Sequence, residues 1–249
     1  MELLKSNITN PFNAPIYHEE RVSSTMDISR ELAYSDEPHG TVIVADYQSA
    51  GRGRIKDRVW KMESGANLPF TILLRYPQME DIPQALTLRT GLAVCLAIEE
   101  FAPALKDKVQ VKWPNDIMIH SKKVSGILCE ASGNEVHIGI GINVAQNNFS
   151  PELQKKATSI ALATGTEIKP KDRYNLLEKT LTHFYNELYN DTDWKPRLEN
   201  RLYKKAQQVI FIEGPPGSNK QVNGTLTGIS ETGEILIDKK AYITGELKL

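Results

Sequence analysis

Residues 109–144 read VQVKWPNDIMIHSKKVSGILCEASGNEVHIGIGINV, a series of β-type runs joined by almost no spare chain. A parallel crossover needs a dozen or more residues, so neighbours this close must pair antiparallel. Pro114 fixes φ in the first connection, where Asn115 and Asp116 also favour a turn. Ser132, Gly133 and Asn134 supply another turn. These runs predict a mixed or largely antiparallel sheet in an α+β arrangement, not a repeated βαβ one.

The flanking sequence fits that frame. Residues 1–15 read as an irregular lead-in, with Pro11 and Pro15 against regular pairing. Residues 16–21 are a short strand, and Ser24 opens a helix with Ile28 and Leu32 on one face. TVIVAD (41–46) is a buried strand and ANLPFTILLRY (66–76) supplies the next. Asp81 is placed as the N-cap of a long buried helix, with Pro83 in its first turn and Gln84 at the capping-box position. From Pro170 to about Asn190, apolar residues at 176, 177, 181, 184 and 188 mark one helical face. Beyond 206 the chain breaks into short β runs separated by turns, as a small barrel does. Two domains are expected, 1–200 and 201–249.

A formal net charge of −1 argues against a dedicated nucleic-acid binder. The two cysteines, Cys95 and Cys129, lie in apolar runs and read as reduced core thiols. The N-terminus has no apolar signal core, and no run approaches the ~20 apolar residues that span a bilayer. A soluble, cytoplasmic protein is expected.

Against that neutral background, SAGRGRIKDRVW (49–60) places Arg52, Arg54 and Arg58 on one loop directly after a strand. Glycines let backbone N–H groups approach an anion, and arginine forks match phosphate or carboxylate. The loop is neither a P-loop nor a dinucleotide fingerprint. By itself it reads rather as a solvated basic turn or an RG-type nucleic-acid contact. Downstream, a lysine at the start of a strand with Gly126 three residues later would set an ammonium beside an approachable backbone. The alternating glycines of GIGINV (139–144) admit either a flat ligand or a closely packed helix. The histidines at 18, 39, 120, 137 and 183 show no metal-ligand spacing.

AGRGR followed by Trp60, then SGANL (64–68), KWPND, KK-VSGIL-E and GIGIN, in that order, resembles the biotin protein ligases, also called biotin–acetyl-CoA-carboxylase ligases. SST (23–25) and Gln48 match as well, and the resemblance runs from about residue 16 to the end. It implies a catalytic domain like that of class II aminoacyl-tRNA synthetases, followed by an SH3-like barrel. It implies formation of biotinyl-5′-AMP from biotin and ATP, then transfer of biotin to a lysine of a biotin carboxyl carrier domain. By the resemblance, Ser24, Thr25, Gln48, Gly51, Arg52, Lys123, Gly126 and Gly141 fall on the biotin side. Arg54, Arg58, Trp60, Asn115 and Asn143 fall on the nucleotide side, with Trp60 stacking on adenine. Lys123, Arg52 and Arg54 offset the repulsion between carboxylate and α-phosphate, and Asp116 orients Lys123 or the magnesium that arrives with ATP. No fixed protein metal site is implied.

The run Ile55–Lys56–Asp57 departs from the family pattern by one extra residue and a missing glycine. Some members carry an N-terminal helix-turn-helix; too few residues precede the first matching strand here, so no DNA binding is expected. Lipoate or octanoate transfer on the same fold is the alternative activity. A monomer and a homodimer are both compatible with the sequence.

Overall fold

The computed structural model describes residues 1–4, 6–54, 60, 62–190 and 193–248. An eight-stranded sheet carries most of the chain. Its strands are β1 (Glu2–Leu3), β2 (Ile16–Val22), β3 (Thr41–Gln48), β4 (Asn67–Arg75), β5 (Val109–Lys112), β6 (Asp116–Ile119), β7 (Lys122–Ser132) and β8 (Glu135–Asn143). They lie in the order β1-β2-β3-β4-β8-β7-β6-β5. Only the β2–β3 pair is parallel; helix α1 (Thr25–Ala33) makes the crossover between them. The tight connections at Pro114, at His120–Ser121 and at Gly133 all join antiparallel neighbours, as their length requires. The Trp113–Pro114 bond is cis.

β4 sits at the centre and is buried from Asn67 to Leu74. Its even-numbered side chains, Leu68, Phe70, Ile72 and Leu74, join Ile138, Ile140 and Ile142 of β8 in the main core. That core is covered by α2 (Leu86–Phe101) and α5 (Arg173–Tyr189), whose apolar faces pack on one another. Each fully buried Leu, Ile or Phe there contributes roughly 1.5–3 kcal/mol. The odd-numbered face points to α1, where Thr71 donates to Thr25 at 2.8 Å. Two short helices, α3 (Pro151–Gln154) and α4 (Ile160–Thr164), follow β8.

After α6 (Trp194–Asn200), the chain bonds to β5 once more: Val111 donates to Arg201 O and Tyr203 to Val111 O, both at 2.9 Å. The second sheet then begins. Its strands are β9 (Gln208–Glu213), β10 (Lys220–Ile229), β11 (Ile235–Ile237), β12 (Lys240–Tyr242) and β13 (Gly245–Leu247), all antiparallel in the order β12-β11-β10-β9-β13. This is the small barrel the composition change announces, SH3-like as the resemblance implies. It is fixed to the large sheet through Trp113, whose indole N–H donates to Gly233 O at 2.9 Å and whose ring meets Phe211 edge-on.

Three local expectations change. The lead-in contains the two-residue strand β1, which pairs with β2. Asp81 does not cap α2; it ends a 3-10 turn at Met79–Asp81 and accepts from Gln78 N at 3.1 Å. Ile82 precedes Pro83 and is held extended, so the helix starts only at Leu86, after a left-handed Ala85. Cys95 is buried as expected, but Cys129 is only partly so. No helix among the described residues is long and apolar enough to cross a membrane.

Candidate active site

Register puts a row of side chains straight across one face of the large sheet. Lys112 of β5 pairs with Asp116 of β6, Asp116 with Gly126 of β7, Gly126 with Gly141 of β8, and Gly141 with Pro69 of β4. One end of the row is charged and the middle is bare backbone. A β-bulge between Ile117 and Met118 shifts the partner of Lys123. Its ammonium then turns back over the row, 2.5 Å from Asp116 Oδ1 and 2.9 Å from where a Gly126 Cβ would be. The expected placement of an ammonium beside Gly126 is what the backbone delivers.

The charged end opens into a cavity of about 310 Å³ lined by Arg54, Trp60, Trp113, Asn115, Asn143 and Phe149 as well as the two lysines and Asp116. Lys123 keeps about a third of its side-chain surface and its pair with Asp116 is correspondingly easy to exchange for a ligand anion. Asn115 is fixed by donating to Ile127 O at 2.7 Å. Asn143 donates to Thr158 O, and its buried Oδ1 has no hydrogen-bond partner among the described residues. A buried acceptor without a donor costs about 1–3 kcal/mol, and a ligand N–H or O–H would satisfy it.

The bare middle of the row is covered by Trp60. A Cβ at Gly141 would lie 2.9 Å from Trp60 Cε2, and one at Gly126 3.3 Å from Cζ3. Of the two readings left open for GIGIN, the packed helix is found at Gly139, and at Gly141 the flat group is the protein's own Trp60 ring. Gly141 admits a flat ring, while Gly139 lets helix α1 pack, with Met26 Sδ 2.8 Å from its Cβ position. Trp60 lies on the glycines; its indole nitrogen is buried with no hydrogen-bond partner among the described residues, and the Lys123 ammonium stands 5.6 Å from its ring. A space of about 60 Å³ remains beneath, reached by Ser24, Thr25, Gln48 and Arg52.

That space is walled by the start of α1. Ser24 caps the helix through Met26 N. Thr25 donates twice to Gln48 Oε1, at 2.8 Å from N and 3.0 Å from Oγ1. With its carbonyl so engaged, Gln48 presents its NH₂ as the group able to donate to a ligand.

The arginine loop is closed at both ends. At its base Gly65 N donates to Asp46 O, and buried Arg173 bonds both Gly65 O and the Asp46 carboxylate. At its top Trp60 N donates to Gly51 O at 2.9 Å; a Cβ at Gly51 would come within 3.2 Å of Trp60 Cβ. Arg52 reaches Asp27 on α1 at 2.5 Å, and Arg54 donates to Gly245 O on the barrel at 3.0 Å. Arg58 and the Ile55–Lys56–Asp57 departure lie outside the described residues.

Of the described candidate site residues, Ser24, Thr25, Gln48, Arg52, Gly126 and Gly141 line the space under Trp60, Asp116 and Asn143 line the cavity, Arg54, Trp60, Asn115 and Lys123 line both, and Gly51 lies against Trp60. Sequence reasoning missed Lys112, Trp113, Phe149 and the barrel's Glu246, which also line the cavity. Lys112 and Trp113 stand inside KWPND, so the motif held the signal; Glu246 had none. Among the described residues no group of three His, Cys, Asp or Glu side chains could hold a metal.

A family model described as the biotin/lipoate A/B protein ligase family matches residues 19–147. The bifunctional ligase/repressor BirA of Bacillus subtilis is 43% identical over 177 residues, 68% of this chain and 52% of that protein. The chain thus spans about half the length of that relative. The biotin–[acetyl-CoA-carboxylase] ligase of Mycobacterium tuberculosis is 27% identical over 87% of this chain and 80% of its own. A solved structure of biotin protein ligase from Aquifex aeolicus, in complex with biotin and ATP, superposes with a TM-score of 0.76. It is 30% identical, over 94% of this chain and 97% of that one.

Proposed function

Because the chain belongs to the biotin/lipoate A/B protein ligase family, we propose that it is a cytoplasmic biotin protein ligase. It forms biotinyl-5′-AMP from biotin and MgATP and passes biotin to a lysine of a carboxylase carrier domain. The observation that carries the reading is the cross-sheet row: a bare glycine floor ending at Lys123 and Asp116.

The bicyclic ring of biotin is flat enough for the Gly126–Gly141 floor, once the Trp60 indole leaves it. Its ureido group meets Ser24, Thr25 and the Gln48 NH₂. Its carboxylate then points to Lys123. In the first step a carboxylate oxygen attacks the α-phosphorus of ATP; the bond to the bridging oxygen breaks and pyrophosphate leaves. Two anions must meet, so the work of the protein is charge offset. Lys123 exchanges Asp116 for the carboxylate and α-phosphate, and Arg52 and Arg54 bring their forks from the loop. Asn143 Oδ1 accepts from the ribose or the base, and the displaced indole stacks on adenine. Asp116 is flanked by two lysines, which fits a magnesium carried on the ATP phosphates better than a resident ion.

In the second step the carrier's lysine amine attacks the acyl carbon and AMP departs. An ordered loop over the adenylate keeps water from doing the same.

Biotin and lipoate offered separately in ATP–pyrophosphate exchange test the reading, followed by transfer to a biotin carboxyl carrier domain. Exchange and transfer with biotin are expected. Exchange supported by lipoate alone would overturn biotin as the substrate.

A further inference from the structure

Lys112 is a buried ammonium that the steps above leave unused. Its side chain is 4% exposed, at the end of β5. Burying a cation costs several kcal/mol, and an apolar side chain at this strand end would avoid that. Its natural partner is already taken: Asp116 gives Oδ1 to Lys123 at 2.5 Å, while Oδ2 is 3.9 Å from Lys112 Nζ, beyond hydrogen-bond reach. Burial lowers the Lys112 pKa, and the charges of Asp116 and Glu246 oppose that shift.

Position adds direction. Lys112 lines the cavity and also a wider cleft of about 680 Å³ between the large sheet and the barrel, but not the space over the glycine floor. Lys123 lines all three. Along the row the order is therefore glycine floor, Lys123 and Asp116, Lys112, cleft. Displacement at phosphorus is in line, so the entering and leaving oxygens lie on opposite sides. A carboxylate entering from the floor obliges the leaving group to depart toward Lys112.

We propose that Lys112 is a second catalytic lysine, holding the β- and γ-phosphates of ATP and then the departing pyrophosphate in the cleft between sheet and barrel. This rests on the ligase reading. The carboxylate lone pair forms the new bond to the α-phosphorus, the bridging P–O bond breaks with its electrons to pyrophosphate, and no proton moves. Lys123 offsets charge on the entering side and Lys112 on the leaving side.

The test separates the half-reactions in the full chain. Lys112→Met keeps the unbranched stem of the side chain and removes its terminal ammonium. ATP–pyrophosphate exchange is expected to fall by about 100-fold, the range for losing one preorganised charge-stabilising group. Transfer from supplied biotinyl-AMP to a carrier domain should stay near the wild-type rate, since pyrophosphate has already gone. Lys112→Arg should recover pyrophosphate affinity. Near-normal exchange in Lys112→Met, or an equal loss in both half-reactions, would overturn the proposal. A measurement on the wild-type protein does not depend on the Met variant folding. With isotope-labelled lysine side chains, pyrophosphate should shift the ammonium resonance that disappears in Lys112→Arg; an unmoved resonance would also overturn the proposal. A wild-type protein that performs no exchange with biotin would instead sink the ligase reading itself.

Discussion

The Trp60 indole lies on the bare backbone of Gly141, so close that a Cβ there would be 2.9 Å from Cε2. On the proposed reading, biotin and the indole therefore claim the same floor. The resting contact is easily given up, because the buried Trp60 Nε1 makes no hydrogen bond there among the described residues. Biotin is expected to change the intrinsic fluorescence, and Trp60→Phe to abolish most of that change. Trp60→Ala should bind biotin alone at least as tightly, yet hold biotinyl-AMP less tightly. A fluorescence titration paired with calorimetry reads both, and an unchanged emission on biotin binding would place the indole elsewhere.

Lys123→Ala removes the one ammonium among the described residues that lines the cavity, the cleft and the glycine floor alike. Adenylate formation should fall by at least about 100-fold. Stability should change by no more than about 1 kcal/mol, because the pair with Asp116 is partly exposed. Pyrophosphate exchange and a melting curve on the same preparation check the two halves. Normal biotinyl-AMP synthesis would contradict the charge-offset mechanism.

Much of this site was legible in the sequence because its parts are local. The turn at Pro114 and the glycines at 126, 139 and 141 fix backbone geometry within a few residues. What was not legible needs register. Nothing in the spacing of Lys112, Asp116, Gly126 and Gly141 says that they form one row; three strand pairings decide it. The bulge that turns Lys123 back over Gly126 is likewise a property of two strands together. Asp81 misled for a related reason. Its capping pattern was real but served a 3-10 turn, since the residue before Pro83 had to stay extended. The barrel's share was unreadable, because Gly245 and Glu246 reach the site only through the tertiary fold.

Arg54 ties the loop to that barrel by its bond to Gly245 O. Arg54→Gly loses the tether and, on the proposed reading, one of the cations near the α-phosphate. More biotinyl-AMP is expected to escape to solvent per turnover, measured as free adenylate and as stray labelling of bystander lysines. Wild-type release would show that closure does not depend on this contact.

The base of the loop makes a stability prediction. Arg173 has a side chain only 6% exposed and holds Asp46 together with Gly65 O. Asp46→Ala strands that guanidinium and should destabilise the fold by about 3 kcal/mol, as breaking a buried pair does. Urea denaturation gives the value. A loss near zero would mean that Arg173 is sufficiently served by Gly65 O and the Tyr174 hydroxyl.

His137 provides the pH prediction. It is buried on β8, two residues before Gly139, with Nδ1 2.7 Å from Ser29 Oγ on α1. Burial lowers its pKa below the ordinary value near 6.5; Arg30 and Arg75 push the same way, and Glu135 and Glu130 oppose them. The unfolded chain therefore takes up this proton at a higher pH than the native one. Its contribution to stability is complete above about pH 6.5, the unfolded value, and is lost as pH falls toward the folded one. Because His137 and Met26 both anchor α1 on β8, acid should loosen the Ser24–Thr25 end of the biotin site as well. Melting midpoints should drop more steeply between pH 7 and 5 for the wild type than for His137→Gln. Biotin affinity should follow the same order, and parallel slopes for the two proteins would rule His137 out as the titrating group.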